Sequence, residues 1–233
     1  MNKRILLFGG GAIALVAVAI VAIVVIQLLR SDDPNLATEA PQITPGTTRE
    51  VTSQGGDDSR TFVIVPAEST AKYVVEETLR GLVTNAVGTT SAIEGQIHLT
   101  TDGLDTSKAS SFRVDLSTLK SDENMRDNFI KQNTLQTSQY QFAEFTVKGL
   151  TGFPDDYTEN AQVEMTLTGT LKIRNIERDV EWKVLARQAG NTLTATADTD
   201  ILFRDFGMTP PSVPIATAKE AIHIQIVLVA REG

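Results

Sequence analysis

The sequence contains no cysteine and only two histidines, His98 and His223. Without cysteine there is no disulfide, no thiol nucleophile and no lipidated cysteine to hold the chain to a membrane. Two histidines do not complete a common metal triad, and both fall on the polar phase of alternating segments, which reads as surface imidazoles. The acidic pairs Asp57-Asp58 and Asp155-Asp156 lack the surrounding loop of spaced oxygens that calcium needs, so they read as linker and turn residues. Neither a glycine-rich phosphate loop nor a nucleophile elbow is found. Basic residues are also scarce: 21 Lys and Arg against 29 Asp and Glu leave a net charge of −8. That balance excludes the basic face a nucleic-acid partner wants and disfavours broad adhesion to anionic headgroups. No catalytic residue, metal or cofactor is assigned.

What the sequence does have is one long apolar run. From Ile5 to Ile26 no residue is charged or strongly polar, and Leu28 and Leu29 continue the stretch. A helix crosses the hydrocarbon core with roughly 20 apolar residues, so the run is long enough to span. Lys3 and Arg4 precede it, and Asp32 and Asp33 soon follow Arg30. The positive-inside rule then sets the N-terminus in the cytoplasm and the remainder outside. A cleaved signal would have a shorter core, roughly 7–15 residues, and small residues where Val24 to Leu29 stand. Residues 1–30 are therefore expected to be a single-pass signal anchor in the cell membrane.

Residues 31–60 carry Pro34, Pro41, Pro45, Gly46, Gly55 and Gly56 among small polar residues. With almost nothing apolar to bury, this segment is expected to be a disordered linker of roughly 30 Å root-mean-square reach. Residues 61–233 read as one domain of period two. Ile93, Ile97 and Leu99 alternate with Glu94, Gln96 and His98, and Ile222, Ile224 and Ile226 with His223 and Gln225. The pattern predicts seven or eight long antiparallel strands, each with one buried and one solvated face. One short helix interrupts them, capped by Ser121, with Asp122 and Glu123 in its first turn and an apolar stripe of Met125 and Phe129. Strands so long leave exposed edges unless the sheet closes, and closure at about eight strands gives an interior either just filled or able to hold one small ligand.

Four segments carry a family resemblance. Val114-Asp115-Leu116-Ser117 with Asn124-Met125-Arg126-Asp127 resembles the strand and "RD" helix of the YceI-like family, and Tyr140-Gln141-Phe142-Ala143-Glu144-Phe145 its following strand. Gly169-Thr170-Leu171-Lys172-Ile173-Arg174-Asn175-Ile176 is similar to its hairpin, and Phe203-Arg204-Asp205-Phe206-Gly207 to its late R-x-D-F-G element. The four lie in order, and the resemblance covers essentially all of residues 62–231. The chain departs from the pattern at Glu68-Ser69, at Gln141, at Arg204-Asp205, which lacks the intervening residue, and at Asn175, a residue that tolerates a left-handed turn. The resemblance implies an all-β, eight-stranded antiparallel lipocalin-like barrel that binds a polyisoprenoid chain in an apolar tunnel.

On that resemblance the partner is an isoprenoid lipid or quinone. The lining residues are then Phe112, Val114, Leu116, Met165, Leu167, Trp182, Leu193, Phe203, Ile222, Ile224 and Ile226. Arg126 and Arg204 are candidate headgroup contacts, since a guanidinium suits a phosphorylated or polar head. The alternative role for Arg126-Asp127 and Arg204-Asp205 is to pair structurally and pin the helix across one barrel end. Periodicity alone favours a packed core, so a ligand-free interaction module with a filled barrel stands beside the lipid binder. An isomerase or hydrolase acting on bound lipid would need converging carboxylates of raised pKa.

Overall fold

In a strand, successive side chains leave opposite faces, so an alternating segment buries one row and solvates the other. The computed structural model describes residues 34–43 and 59–233. Its strands are β1 (Arg60–Ile64), β2 (Thr70–Leu79), β3 (Leu82–Thr90), β4 (Ile93–Thr100), β5 (Gly103–Leu104), β6 (Ser111–Asp115) and β7 (Phe142–Thr151), then β8 (Val163–Ile173), β9 (Ile176–Ala189), β10 (Thr192–Leu202), β11 (Ser212–Val213), β12 (Ala216–Ala218) and β13 (Ala221–Glu232). Among the described residues one short α-helix, α1 (Asn124–Phe129), lies between β6 and β7 and continues into a π turn, Ile130–Thr134.

The sheet closes on itself. β1 pairs antiparallel with β4 on one side and β13 on the other, so β1–β4–β6–β7–β8–β9–β10–β13 form a ring of eight antiparallel strands. β2 continues β1 along the edge of β13 after the turn Pro66–Glu68, and β3 pairs with β2 before leading into β4. Two staves of the barrel are thus each broken in the middle. Closure leaves those eight without a free edge, which is why such long apolar alternation is tolerated. β6 stops at Asp115, however, and beyond it β3, on the side away from β2, bridges Lys120 at Thr89. Residues 116–141, with α1, lie at this end of the barrel.

Several expectations change here. The transmembrane helix expected over residues 1–30 lies outside the described residues; among those described, no helix is long and apolar enough to cross a membrane. Residues 36–43, expected within a disordered linker, instead lie against the outside of the wall, and the compact barrel unit runs Leu36–Gly233. The reason is polar rather than apolar. Thr194 and Thr196 donate their hydroxyls to the Pro41 and Glu39 carbonyls at 2.7 Å, and Gln225 exchanges two hydrogen bonds with the Ala37 backbone. Ala40 within this strap is buried, its amide donating to Gln162, so a 30-residue free coil of roughly 30 Å does not describe the whole span.

The two histidines are not free surface imidazoles. His98 is buried where the chain after β5 covers it, bonded to Thr61 and near Gln96, and Ser110 holds its backbone. His223 sits between the carboxylates of Asp198 and Asp200. At α1 the capping side chain is Glu123, accepting from the Met125 amide, while Ser121 donates to Asp127. Met125 is exposed, so α1 has no apolar Met125–Phe129 stripe against the barrel; its inward residues are Arg126 and Asp127. In the β8–β9 turn the positive φ falls on Arg174 (59°) rather than Asn175.

Candidate functional site

Even-numbered residues of β1, β6 and β13 and odd-numbered residues of β2, β4, β8 and β10 point into the barrel, as do Ala143, Phe145 and Val147 of β7 and, beyond a bulge that shifts its phase, Leu150. Together with the inward row of β9 they enclose an apolar cavity of about 570 Å³. All eleven residues expected to line it do border it, from Phe112 on β6 round to Ile226 on β13. Met165, Leu167, Ile224 and Ile226 face inward yet remain only half-buried. An inward aliphatic side chain keeps accessible surface only if the space before it is open. The volume falls within the usual range for small-molecule sites, roughly 300–1,000 Å³.

The cavity runs the length of the barrel. At one end lie Arg60, Thr101, Phe153 and Tyr157; at the other, beneath α1, lie Arg126, Ile130, Thr134, Met208 and Pro211. Between them stands an aromatic row: Phe112 and Phe145 stack with centroids 6.5 Å apart, and Trp182 meets Phe145 edge-to-face at 5.8 Å. The Trp182 indole Nε1 makes no hydrogen bond.

The openness of the lumen rests on three inward glycines that the periodicity did not single out. Tyr73 lies flat over Gly88 on the neighbouring strand, Phe112 over Gly95, and Phe145 over Gly169. A Cβ on Gly88 would stand 2.2 Å from Tyr73 Cε1, and one on Gly169 would stand 2.2 Å from the Thr146 carbonyl oxygen and 2.6 Å from Phe145 Cζ. With hydrogen in place of a side chain, each ring lies down on the wall instead of projecting across the lumen. Small residues on β10, Ala195 and Ala197, clear the opposite side. The available signal was a glycine on the inward phase of a strand with an aromatic residue on the next strand, in register at Gly88 and Gly95 and one inward position away at Gly169.

The arginines separate. Arg126 lies at the lumen end and donates to Glu77 on β2 at 2.7 Å, to Asp122 and to Ser121. Its own neighbour Asp127 instead receives the amide and hydroxyl of Ser121. The helix is therefore pinned across the barrel end, but through Glu77. Burial works to lower the Arg126 pKa, yet the hydrogen bond it donates to Asp122 and the charge of Glu77 outweigh it and hold the pKa above the ordinary guanidinium value. Burial pushes the Tyr73 phenol up, so it stays protonated at neutral pH. Arg204 is exposed in the turn Phe203–Phe206 and does not border the cavity. Glu68 forms a two-point ion pair with Arg231 on the outside. Among the described residues no cluster of three or more His, Cys, Asp or Glu could hold a metal ion.

The arrangement is thus a closed barrel around an open apolar lumen with a neutralised arginine at each end. The model of the YceI-like domain family matches residues 62–230. No curated protein matches the sequence. Among solved structures, BcnA of Burkholderia cenocepacia superposes with a TM-score of 0.54 at 17% identity, covering 71% of this chain and 98% of that one. A polyisoprenoid-binding domain from Saccharophagus degradans, implicated in plant cell wall breakdown, gives 0.58 at 12% identity, covering 75% and 99%. At these identities the likeness is one of fold.

Proposed function

This chain belongs to the YceI-like domain family, and from that premise we propose that it binds a polyisoprenoid lipid, a quinone or an isoprenyl chain, while tethered to the outer face of the cell membrane. The observation that carries the lipid reading is the open apolar lumen of about 570 Å³ whose inward aliphatic residues remain half-buried. A filled interaction module would have packed them, because protein interiors leave few voids larger than a water molecule. A flexible hydrocarbon fits such a wall, each methylene-sized group contributing about 0.8 kcal/mol on leaving water. One relative of the same fold is described as a polyisoprenoid-binding domain, which supports the choice of isoprenoid over other apolar chains.

The tether rests on the sequence: an apolar run from Ile5 to Ile26, with basic residues before it and acidic ones after. An N-terminus in the cytoplasm and a barrel outside follow from that asymmetry. The role is holding or handing over lipid rather than converting it. The two lumen-lining groups with shifted pKa, Tyr73 and Arg126, both move away from neutrality, so neither is poised for proton transfer at pH 7. The full chain, held in amphipol, is offered an isoprenoid quinone and re-isolated. The reading expects close to one quinone retained per barrel, and a barrel that retains none overturns it.

A further inference from the structure

Each arginine at the lumen's ends already has its charge matched. Beneath α1, Arg126 is set between Glu77 and Asp122, two carboxylates to one guanidinium. The Arg126 and Glu77 side chains are only 14% and 8% exposed, so their pairing is poorly screened by solvent. At the far end Arg60 grips Glu232 through two nitrogens, at 3.1 and 2.7 Å, and also donates to the Gly190 carbonyl while lying over the Phe62 ring. Two further cations border the cavity, Lys72 on β2 and Arg187 on β9, but both fall on the outward phase of their strands. Arg187 is held outside by Asn160, Gln162 and, at 3.7 Å, Glu39.

We propose that this lumen selects a lipid with an uncharged head, such as a quinone or an isoprenoid alcohol, over the same chain carrying a diphosphate. The inference rests on the lipid-binding reading above. A phosphate is recognised by a guanidinium whose fork is free to meet it in two places. Here both forks are taken. A diphosphate at the α1 end would have to displace Glu77 or Asp122 and would leave a carboxylate beside it. At the Arg60 end it would displace Glu232 in the same way. Burying a charge without a partner is costly, whereas a quinone oxygen or hydroxyl needs at most one hydrogen bond.

The test compares an isoprenoid quinone with an isoprenyl diphosphate of equal chain length, each titrated into the full chain in amphipol and read by native mass spectrometry. The expected result is at least tenfold tighter binding of the quinone. Equal or tighter binding of the diphosphate overturns the inference while leaving the lipid reading intact; binding of neither overturns the lipid reading itself. Glu77→Gln removes one carboxylate from Arg126 and is expected to raise the ratio of diphosphate to quinone affinity severalfold. Asp122→Asn, at a side chain 85% exposed, should move the ratio in the same direction and covers the case in which Glu77→Gln does not fold. An unchanged ratio in the folded variants overturns the assignment of Arg126 as the neutralised group.

Discussion

Replacing Gly88 with alanine adds one methyl group, and the structure says what that methyl meets. The new Cβ would stand 2.2, 2.6 and 2.8 Å from Cε1, Cζ and the hydroxyl of Tyr73, with no backbone atom among these nearest contacts. Carbon atoms pack at about 3.5–4.0 Å, so the ring must lift by about 1.3 Å or more into the lumen. Overpacking of this kind costs about 1–3 kcal/mol. Against it, alanine in a strand is favoured over glycine by about 0.5–1 kcal/mol. In the wild type the first effect is expected to win, leaving Gly88→Ala destabilised by up to about 2 kcal/mol. In a Tyr73→Ala background the ring is gone, and the same substitution should become neutral or stabilising. The assay is urea unfolding of the four proteins of the cycle, compared at constant slope so that midpoints report stability. A coupling of about 1–3 kcal/mol is expected. If Gly88→Ala shifts stability equally in both backgrounds, within about 0.5 kcal/mol, the ring does not depend on the glycine and the account of the open lumen is wrong.

Ala197→Phe places a ring across the lumen from β10; the barrel should stay folded at a cost of about 1–3 kcal/mol, while quinone uptake in a retention assay falls at least tenfold. Hydrogen bonds from Ser107 and Ser59 hold the Asp105 carboxyl at about 2, below its usual value of 3.8. A depressed carboxyl stabilises the fold above its unfolded pKa and loses that contribution as pH falls towards 2, so Asp105→Asn should flatten the drop in urea midpoint between pH 4 and about 2. Thr194→Val with Thr196→Val removes both hydroxyls that hold the strap. Losing about 1 kcal/mol for each bond, residues 36–43 should exchange amide hydrogens faster, with protection inside the barrel unchanged.

The lumen was legible where alternation is clean. On β8 and β13 polar side chains mark one face and aliphatic ones the other, and Met165, Leu167, Ile224 and Ile226 border the cavity as their phase requires. β2 hid its inward row because Val74 and Val75 are both buried, so apolar residues stand on both faces and Tyr73 does not stand out. Phase also says which way a side chain points but not what is laid over it. His98, Thr194, Thr196 and Gln225 are polar and face outward, yet all four are buried. Over three of them lies a segment with little apolar content, docked through its backbone carbonyls and amides, which composition reads as disorder. The inward face of α1 was missed for a related reason. Six residues give too little periodicity to separate a stripe from chance, and the face that meets the barrel is charged, fixed by Glu77 from another strand.

The measurement that bears most directly on the central claim is native mass spectrometry of the full chain purified from its own host in amphipol, with the lipids extracted and identified in parallel. The account predicts a population carrying one non-covalent adduct whose extract is an isoprenoid with an uncharged head. A barrel that is consistently empty, and that also takes up no quinone when it is offered, would contradict it.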